Sequence, residues 1–394
     1  MLRIRVSTIV LSICFASLAW GQQSDGIAIN NWSEFTRTNM HRWNTYEKTL
    51  SVQNVPNLTL KWSYSPGVPV FSSPAELNNV VYAGAYDGNL YAWNATTGAK
   101  LWSYFTEVGS WIYSSPAVAN GVVYFSSVYP GVPGVIYAVN ASTGTQLWSY
   151  PTINGSYATP TVADGVVYCG DYSGTLYALN ATTGALLWTY DTGTQIWGAP
   201  AVVDGVVYLG SENNSVYALN ATTGAKIWSF ATGAFIEATP AVANGVVYIG
   251  SDDNKFYALK ASTGTLLWSY TTGGQIAGSA AVAGGVVYVG SYDGYVYAFN
   301  VSTHALLWKY LTIGNVASSP AVANGVVYIT TQSTSISSDN SLYALNASTG
   351  ALLWSYPISG TLGGGSPAVA KGMVYFPIGD IYSFTGSLLA FGLD

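Results

Sequence analysis

The sequence predicts an all-β chain closed into an eight-bladed β-propeller of four-stranded antiparallel blades. Three observations carry that expectation. First, Trp62, Trp102, Trp148, Trp188, Trp228, Trp268, Trp308 and Trp354 are spaced by 40, 46, 40, 40, 40, 40 and 46 residues. A period in this range means one supersecondary unit copied many times, each copy burying its apolar face on the next. Second, each copy holds four short apolar runs separated by turn residues. Third, the two ends of the repeat array complement each other.

Taken in chain order, Met1 to Arg5 carries two arginines and is followed by an apolar run to about Leu18, then Ala19-Trp20-Gly21. This pattern is that of a secretory signal, residues 1–21, too short to span a membrane. Cys14 lies inside the apolar run behind Ile13, which argues against a lipid anchor. Residues 22–57 form a lead-in, and residues 58–394 the propeller. Later apolar runs are broken by Gly, Asn or Ser, so no transmembrane segment is expected in the mature chain.

One copy, Ala199 to Trp228, shows the blade. Ala199 to Val203 is a short first strand, turned by Asp204-Gly205. Val206 to Gly210 is the second strand, rich in β-branched residues. A polar turn leads to Val216 to Leu219, and Asn220 to Gly224 turns into the fourth strand, Lys226 to Phe230. First strands recur near Pro74, Pro116, Pro160, Pro200, Pro240, Ala280, Pro320 and Pro367, which makes eight blades. Leu58 to Tyr64 is a fourth strand without a blade, and the last blade lacks one, so the N-terminal strand should complete it and leave no open edge.

Charged residues make up only 8% of the chain, so solubility must rest on Ser, Thr, Asn and Gly at the turns. Without Arg3 and Arg5 there remain 10 basic against 18 acidic side chains, which argues against nucleic acid and anionic membranes as partners. Cys169 is the single mature cysteine and reads as a buried, inert thiol.

The turn into the fourth strand reads AWNATTGAKLW at Ala92 to Trp102, ALNATTGALLW at Ala178 to Trp188 and ALNASTGALLW at Ala344 to Trp354. This pattern, present seven times, resembles the tryptophan-docking motif of the PQQ-like β-propeller repeat family. That family includes quinoprotein alcohol and glucose dehydrogenases and a non-enzymatic lipoprotein of the outer-membrane assembly machine. The segment Trp32 to Trp62, with Phe35, Asn39, Glu47, Leu50 and Asn54-Val55, resembles the lead-in found before such propellers. Two copies depart from the pattern: Lys260 replaces the Asn and His304 the Gly. His304 reads as a tolerated left-handed turn residue, not a metal ligand.

The resemblance to the dehydrogenases implies PQQ over the ring axis, Ca²⁺ with Glu and Asn ligands, an Asp base, and Arg or Lys on the cofactor's carboxylates. No arginine follows Arg42, and of the propeller lysines only Lys255 lies on the expected face. The adjacent-cysteine pair and any C-x-x-C-H haem site are missing, and Asp252-Asp253-Asn254 reads first as a hairpin turn. These absences lead to a reading as a non-catalytic binding or interaction scaffold, with no cofactor and no catalytic or metal residue expected. The alternatives are a PQQ-dependent alcohol or sugar dehydrogenase using PQQ with Ca²⁺, and a carbohydrate-binding propeller.

The informative residues are those that do not repeat. Just before the first strands the copies carry Phe71, Tyr113, Tyr157, Trp197, Glu237, Ala277, Ala317 and Gly364. Four aromatics, one acid and three small residues predict a lopsided funnel. Its candidate ligand contacts are Phe71, Tyr113, Tyr157, Trp197 and Glu237; packing between blades is the competing role for the aromatics. Longer loops at Phe125 to Val135, Ile329 to Ser341 and Phe376 to Ser387 are expected on the same face, opposite the aromatic arc. The expected product is a periplasmic or secreted monomer with a protein or cell-envelope partner, or carbohydrate.

Overall fold

The computed structural model describes residues 42–128, 133–332, 340–358, 365–380 and 382–394. Eight antiparallel sheets form a ring, and the expected eight blades are all there. In blade 4 the strands are Ala201–Val203, Val206–Ser211, Ser215–Asn220 and Lys226–Ala231, paired in sequence order. The first strands adjoin one another around the axis, so the innermost strand of each blade lines the channel. Thr59–Tyr64 pairs antiparallel with Thr385–Gly392, with Trp62 opposite Ala390. The N-terminal strand therefore completes blade 8, and the ring closes without a free edge, as the leftover strands require.

Why the blades repeat is visible at each interface. The Trp188 indole N–H donates to the Ala221 carbonyl of the next blade at 2.9 Å, and the Tyr168 hydroxyl reaches the same oxygen at 3.2 Å. Both lone pairs of one carbonyl are thus taken by two donors of the neighbouring blade. The arrangement recurs at Ala95, Ala141, Ala181, Ala261 and Ala347. The indole face lies on the turn glycine: a Cβ added at Gly184 would stand 2.8 Å from the Trp148 ring. In this turn the Asn side chain caps two amides, as Asn180 Oδ1 does for Thr182 and Thr183. A one-residue irregularity just before each docking tryptophan, between Ala178 and Leu179 in blade 3, turns the indole inward.

His304 takes the glycine's place with φ of 61° and stacks on Trp268, ring centroids 5.2 Å apart. The turn reading is correct, and it has a consequence: the Trp268 Nε1–H is buried without an acceptor. Cys169 is buried, and burial pushes its thiol up to about 12, which keeps it inert.

The lead-in is built into the ring. Trp43–Asn44 adds a parallel strand on the axial side of Ala321–Ala323 in blade 7. Asn44 Nδ2 donates to the Val369 carbonyl of blade 8 at 2.8 Å. Glu47 accepts the amides of Thr49, Leu50 and Gly372, and Leu50, Val55 and Leu58 join the core of blades 7 and 8. Most consequential is Arg42, 1% exposed, whose guanidinium donates to the carbonyls of Pro320 and Pro367 at 2.7 and 2.9 Å. The last arginine of the chain therefore sits in the axial channel. His41 and the residues before it, including the expected signal, lie outside the described residues.

The docking geometry makes a paired prediction. Gly184→Ala forces a Cβ onto the Trp148 ring at φ of 71° and should cost about 2–4 kcal/mol. Gly193→Ala, at φ of 83° with open space around it, should cost only about 1 kcal/mol. Thermal melts of the two variants beside the parent protein check the difference.

Candidate functional site

The connections from one blade to the next carry the non-repeating residues to one end of the axis. Phe71, Tyr113, Tyr157, Trp197 and Glu237 all line a single cavity there, together with Ala277 and Ala317. Gly364 lies outside the described residues. The aromatics also touch one another: Phe71 to Tyr113 at 5.6 Å, Tyr113 to Tyr157 at 5.5 Å and Tyr157 to Trp197 at 4.9 Å between centroids. They form a continuous wall, each ring supported by its neighbours. Phe71 is buried within it, while Tyr113, Tyr157 and Trp197 are partly exposed to the cavity.

A second non-repeating column stands beside the first, and the sequence reading passed over it. It follows the second strands: Tyr86, Tyr172, Glu212, Asp252, Tyr292 and Gln332. The two columns are clamped together by the backbone. The Glu212 amide donates to the carbonyl of Gln195, two residues before Trp197, and the Asp252 amide to that of Phe235, two before Glu237. The signal was available, since these positions vary from copy to copy as the first column does. Trp111 stacks on Tyr86 at 5.0 Å and 7° between planes, and Phe384 meets Tyr86 edge-on at 6.2 Å. The blade 8 hairpin thus joins the end of the aromatic wall rather than facing it, because blade 8 adjoins blade 1 in the closed ring.

The polar side of the funnel is acidic. The Trp197 indole donates to Glu212 Oε1 at 2.6 Å, and the Gln195 amide also bonds that carboxylate while accepting from the Tyr172 hydroxyl. Glu212 is therefore a pinned carboxylate. Glu237 has no such anchor: among the described residues nothing donates to its carboxyl. Burial, then the charges of Asp252 and Glu212, push it up to about 7. Asp252 is raised too, by burial and then by the charges of Glu212 and Asp253, and its Oδ1 is buried without a partner. Its neighbour Asp253 does the turn work expected of the Asp252-Asp253-Asn254 run, accepting the amides of Lys255 and Gly233. Tyr113 and Tyr292 are held at about 12, by burial and then by the nearby Glu237. Among the described residues the lining contains no Lys or Arg.

The floor is a collar of hydroxyls, one residue ahead of each first-strand Pro or Ala. The Ser73 amide donates to Ser115 Oγ, and the Ser115 amide to Thr159 Oγ1. The Thr239 amide donates to Ser279 Oγ and the Ser279 amide to Ser319 Oγ. Ser319 then donates to Ser366, and Ser366 back to Ser73, at 2.9 and 2.8 Å. The collar stitches blade to blade around the axis and is interrupted once. Ala199 stands where the Thr159 amide would find its hydroxyl, and the Ala199 amide itself reaches Thr239 Oγ1 at 2.8 Å.

Two measurable consequences follow from these contacts. The protonated form of Glu237 is the one the fold accommodates, since its folded value lies near 7 against an ordinary 4.5. Its contribution to stability is complete below about pH 4.5 and is lost as pH rises through about 7. Melting temperatures of the parent should fall across that window, and those of Glu237→Gln should fall less. Ala199→Ser supplies the missing acceptor and should raise stability by about 1 kcal/mol, read from the same melts.

Comparison with known proteins places this architecture. A family model described as outer membrane protein assembly factor BamB matches overlapping segments running from residue 51 to residue 376. Among curated proteins, lupanine 17-hydroxylase [cytochrome c] from Pseudomonas sp is 31% identical over 106 residues. That match covers 25% of this chain and 15% of the relative, so the chain spans a small part of that enzyme's length. Among solved structures, quinohemoprotein alcohol dehydrogenase from Comamonas testosteroni superposes with a TM-score of 0.77 at 16% identity, covering 93% of this chain and 81% of that one. BamB from Moraxella catarrhalis gives 0.68 at 21%, covering 86% and 98%.

These matches correct the reading as a non-catalytic scaffold. The stretch of sequence shared with lupanine 17-hydroxylase favours the alternative of a PQQ-dependent dehydrogenase. The scaffold reading rested on missing features: basic side chains on the expected face, an adjacent-cysteine pair, a haem site and an Asp-rich calcium loop. Because the family model covers most of its length, the chain belongs to the PQQ-like propeller-repeat family described as outer membrane protein assembly factor BamB.

Proposed function

We propose that the funnel is the site of a quinone-dependent oxidoreductase that oxidises an alcohol or a sugar hydroxyl, with Glu237 as proton acceptor. The observation that carries this reading is a carboxyl with a pKa of about 7 facing a cavity walled by aromatic rings. Catalytic bases are tuned in this way by burial and like charge. The kinship with lupanine 17-hydroxylase and the shared ring of the alcohol dehydrogenase support it.

The donor set suits a planar quinone bound together with a hard cation. Tyr113, Tyr157 and Trp197 offer flat faces to the ring system. A quinone bearing carboxylates needs a positive partner once desolvated, and the lining supplies none. Asp252, with its buried and unpartnered Oδ1, is an oxygen donor for Ca²⁺. Among the described residues no group of three or more His, Cys, Asp or Glu is placed to hold an ion unaided. Asp252 would contribute to holding such an ion, which would supply the positive charge that the quinone's carboxylates require. When bound, the quinone supplies the two-electron acceptor for the substrate's carbinol C–H bond.

The chain's own residues do the rest. The Glu237 carboxylate takes the proton of the substrate hydroxyl. A cation held nearby would draw the Glu237 pKa downward and favour its carboxylate form at neutral pH. Glu212, pinned by Trp197 and Gln195, stays out of proton transfer and fixes the indole plane. The same proposal takes residues 1–21 as a secretory signal, 22–57 as lead-in and 58–394 as propeller, in a periplasmic or secreted monomer.

Incubating the mature protein with PQQ and Ca²⁺ should yield reduction of an artificial electron acceptor by simple alcohols or glucose. EDTA should abolish quinone binding, measured by the absorbance of the bound cofactor. Glu237→Gln should keep quinone binding and lower kcat by roughly 10²–10⁴. Failure to bind PQQ with Ca²⁺ present, or full activity of Glu237→Gln, overturns the proposal.

A further inference from the structure

The funnel carries more negative charge than the redox reading uses. Glu237 lines the cavity, and Asp252 and Glu212 lie close enough to act on it. Among the described residues the lining holds no Lys or Arg. The described ion pairs, Lys61 with Asp394 and Lys371 with Glu76, involve other carboxylates. A divalent ion bound with a quinone does not cancel the charge of the wall, because the quinone's own carboxylates offset that ion. The site therefore keeps a negative field for whatever else enters it.

Beside this charge stand aromatic rings that do not lie in one plane. The Tyr113 and Tyr157 rings are inclined at 72°, and Trp197 lies 32° from Tyr157, so the wall turns a corner. Tyr292 of blade 6 lines the same cavity, and its phenol, like that of Tyr113 in blade 2, is close enough to Glu237 to feel its charge. Rings thus come from blades on both sides of the carboxyl. The contact between Trp197 and Glu212 adds to their effect. Its indole N–H donates to Glu212 Oε1 at 2.6 Å, and a carboxylate at that hydrogen polarises the ring and makes its face more negative.

The simpler occupants each use half of this arrangement. Water and a hydrated metal ion solvate the carboxylates and gain nothing from the rings. A neutral sugar packs on the rings and leaves the charge unpaired. A methylated ammonium group uses both, since its weakly hydrated methyl surface suits aromatic faces and its charge suits the acids. We propose that the funnel recognises an organic ammonium ion, so that the alcohol it takes carries a quaternary or tertiary ammonium group. The aromatic corner and the charges of Glu212 and Asp252 hold the cationic end, and Glu237 is left for the hydroxyl. This names a substrate class for the proposed oxidoreductase and rests on the funnel being its substrate site; the recognition itself needs no quinone.

Titration calorimetry of the mature protein, with EDTA and without quinone, tests the recognition directly. Choline is compared with neohexanol, its neutral isostere with carbon in place of nitrogen, and should bind roughly tenfold tighter. Tyr157→Leu should weaken choline by roughly tenfold and leave neohexanol nearly unchanged, while Tyr157→Phe, which keeps the ring, should bind choline as the parent does. Glu212→Gln should also weaken choline selectively. Equal affinity for the two isosteres in the parent protein overturns the proposal. So does glucose binding in preference to choline, or no binding of choline at all. With PQQ and Ca²⁺ added, acceptor reduction should favour choline over neohexanol in kcat/KM. Reduction without that preference overturns the ammonium specificity and leaves the oxidoreductase reading standing. Choline binding without any reduction supports the recognition and overturns the oxidoreductase reading.

Discussion

The fold depends on one repeated contact: two donors of one blade, a docking tryptophan and a second-strand tyrosine, converge on a single alanine carbonyl of the next. A carbonyl has two lone pairs, and both are used. The contact lies between blades, so no blade can satisfy its own polar groups and bury its own apolar face at once. Each copy is therefore stable only inside the array. The glycine beneath each indole lets the ring lie flat on backbone, which combines dispersion with the hydrogen bond at one spot. That explains how a chain with 8% charged residues, and with one unpaired cysteine among the described residues, holds together. Where the pattern lapses, as at His304, the lapse is felt by its partner: Trp268 loses its acceptor.

Closure of the ring then decides where chemistry can occur. Among the described residues, equivalent connections deliver Phe71, Tyr113, Tyr157, Trp197, Glu237, Ala277 and Ala317 to one end of the axis, and the neighbouring column of loop residues is tied to them by backbone bonds. The asymmetry of the funnel comes from its side chains, and from the lead-in strand on blade 7 and the longer blade 8 hairpin that carries Phe384. Aromatic rings occupy one arc and Glu237 the next, and the rest holds Ala277, Gly278 and Ala317 with Tyr292 and Gln332; Asp252 and Glu212 lie close enough to act on Glu237. Burial first, and then the nearby charges of Asp252 and Glu212, raise the pKa of Glu237 to about 7. The electrostatics of the site are thus a property of proximity, not of any single residue.

The blade count, the strand order within a blade and the closing strand were legible in the sequence, because a 40-residue period with turn glycines admits few alternatives. So was the first column of the funnel, since variation inside a strict repeat marks positions that the scaffold does not dictate. The second column was equally visible as text, yet nothing in a linear reading says that Glu212 lies beside Trp197 or Asp252 beside Glu237. Those neighbours come from different hairpins. The hydroxyl collar was hidden for the opposite reason: Ser and Thr before each first strand look like ordinary turn residues until the ring brings them end to end.

Sequence alone thus determined the repeat, the architecture and the family resemblance, because periodicity and turn chemistry are local properties that every copy states again. Tertiary structure decided what the copies do together. It set Arg42, taken as part of a lead-in, into the axis 278 and 325 residues away from the carbonyls it bonds. It also gathered three carboxylates into one field and turned seven scattered hydroxyls into a single ring. Charge, burial and convergent donors act through space, and a closed ring is what makes distant positions neighbours.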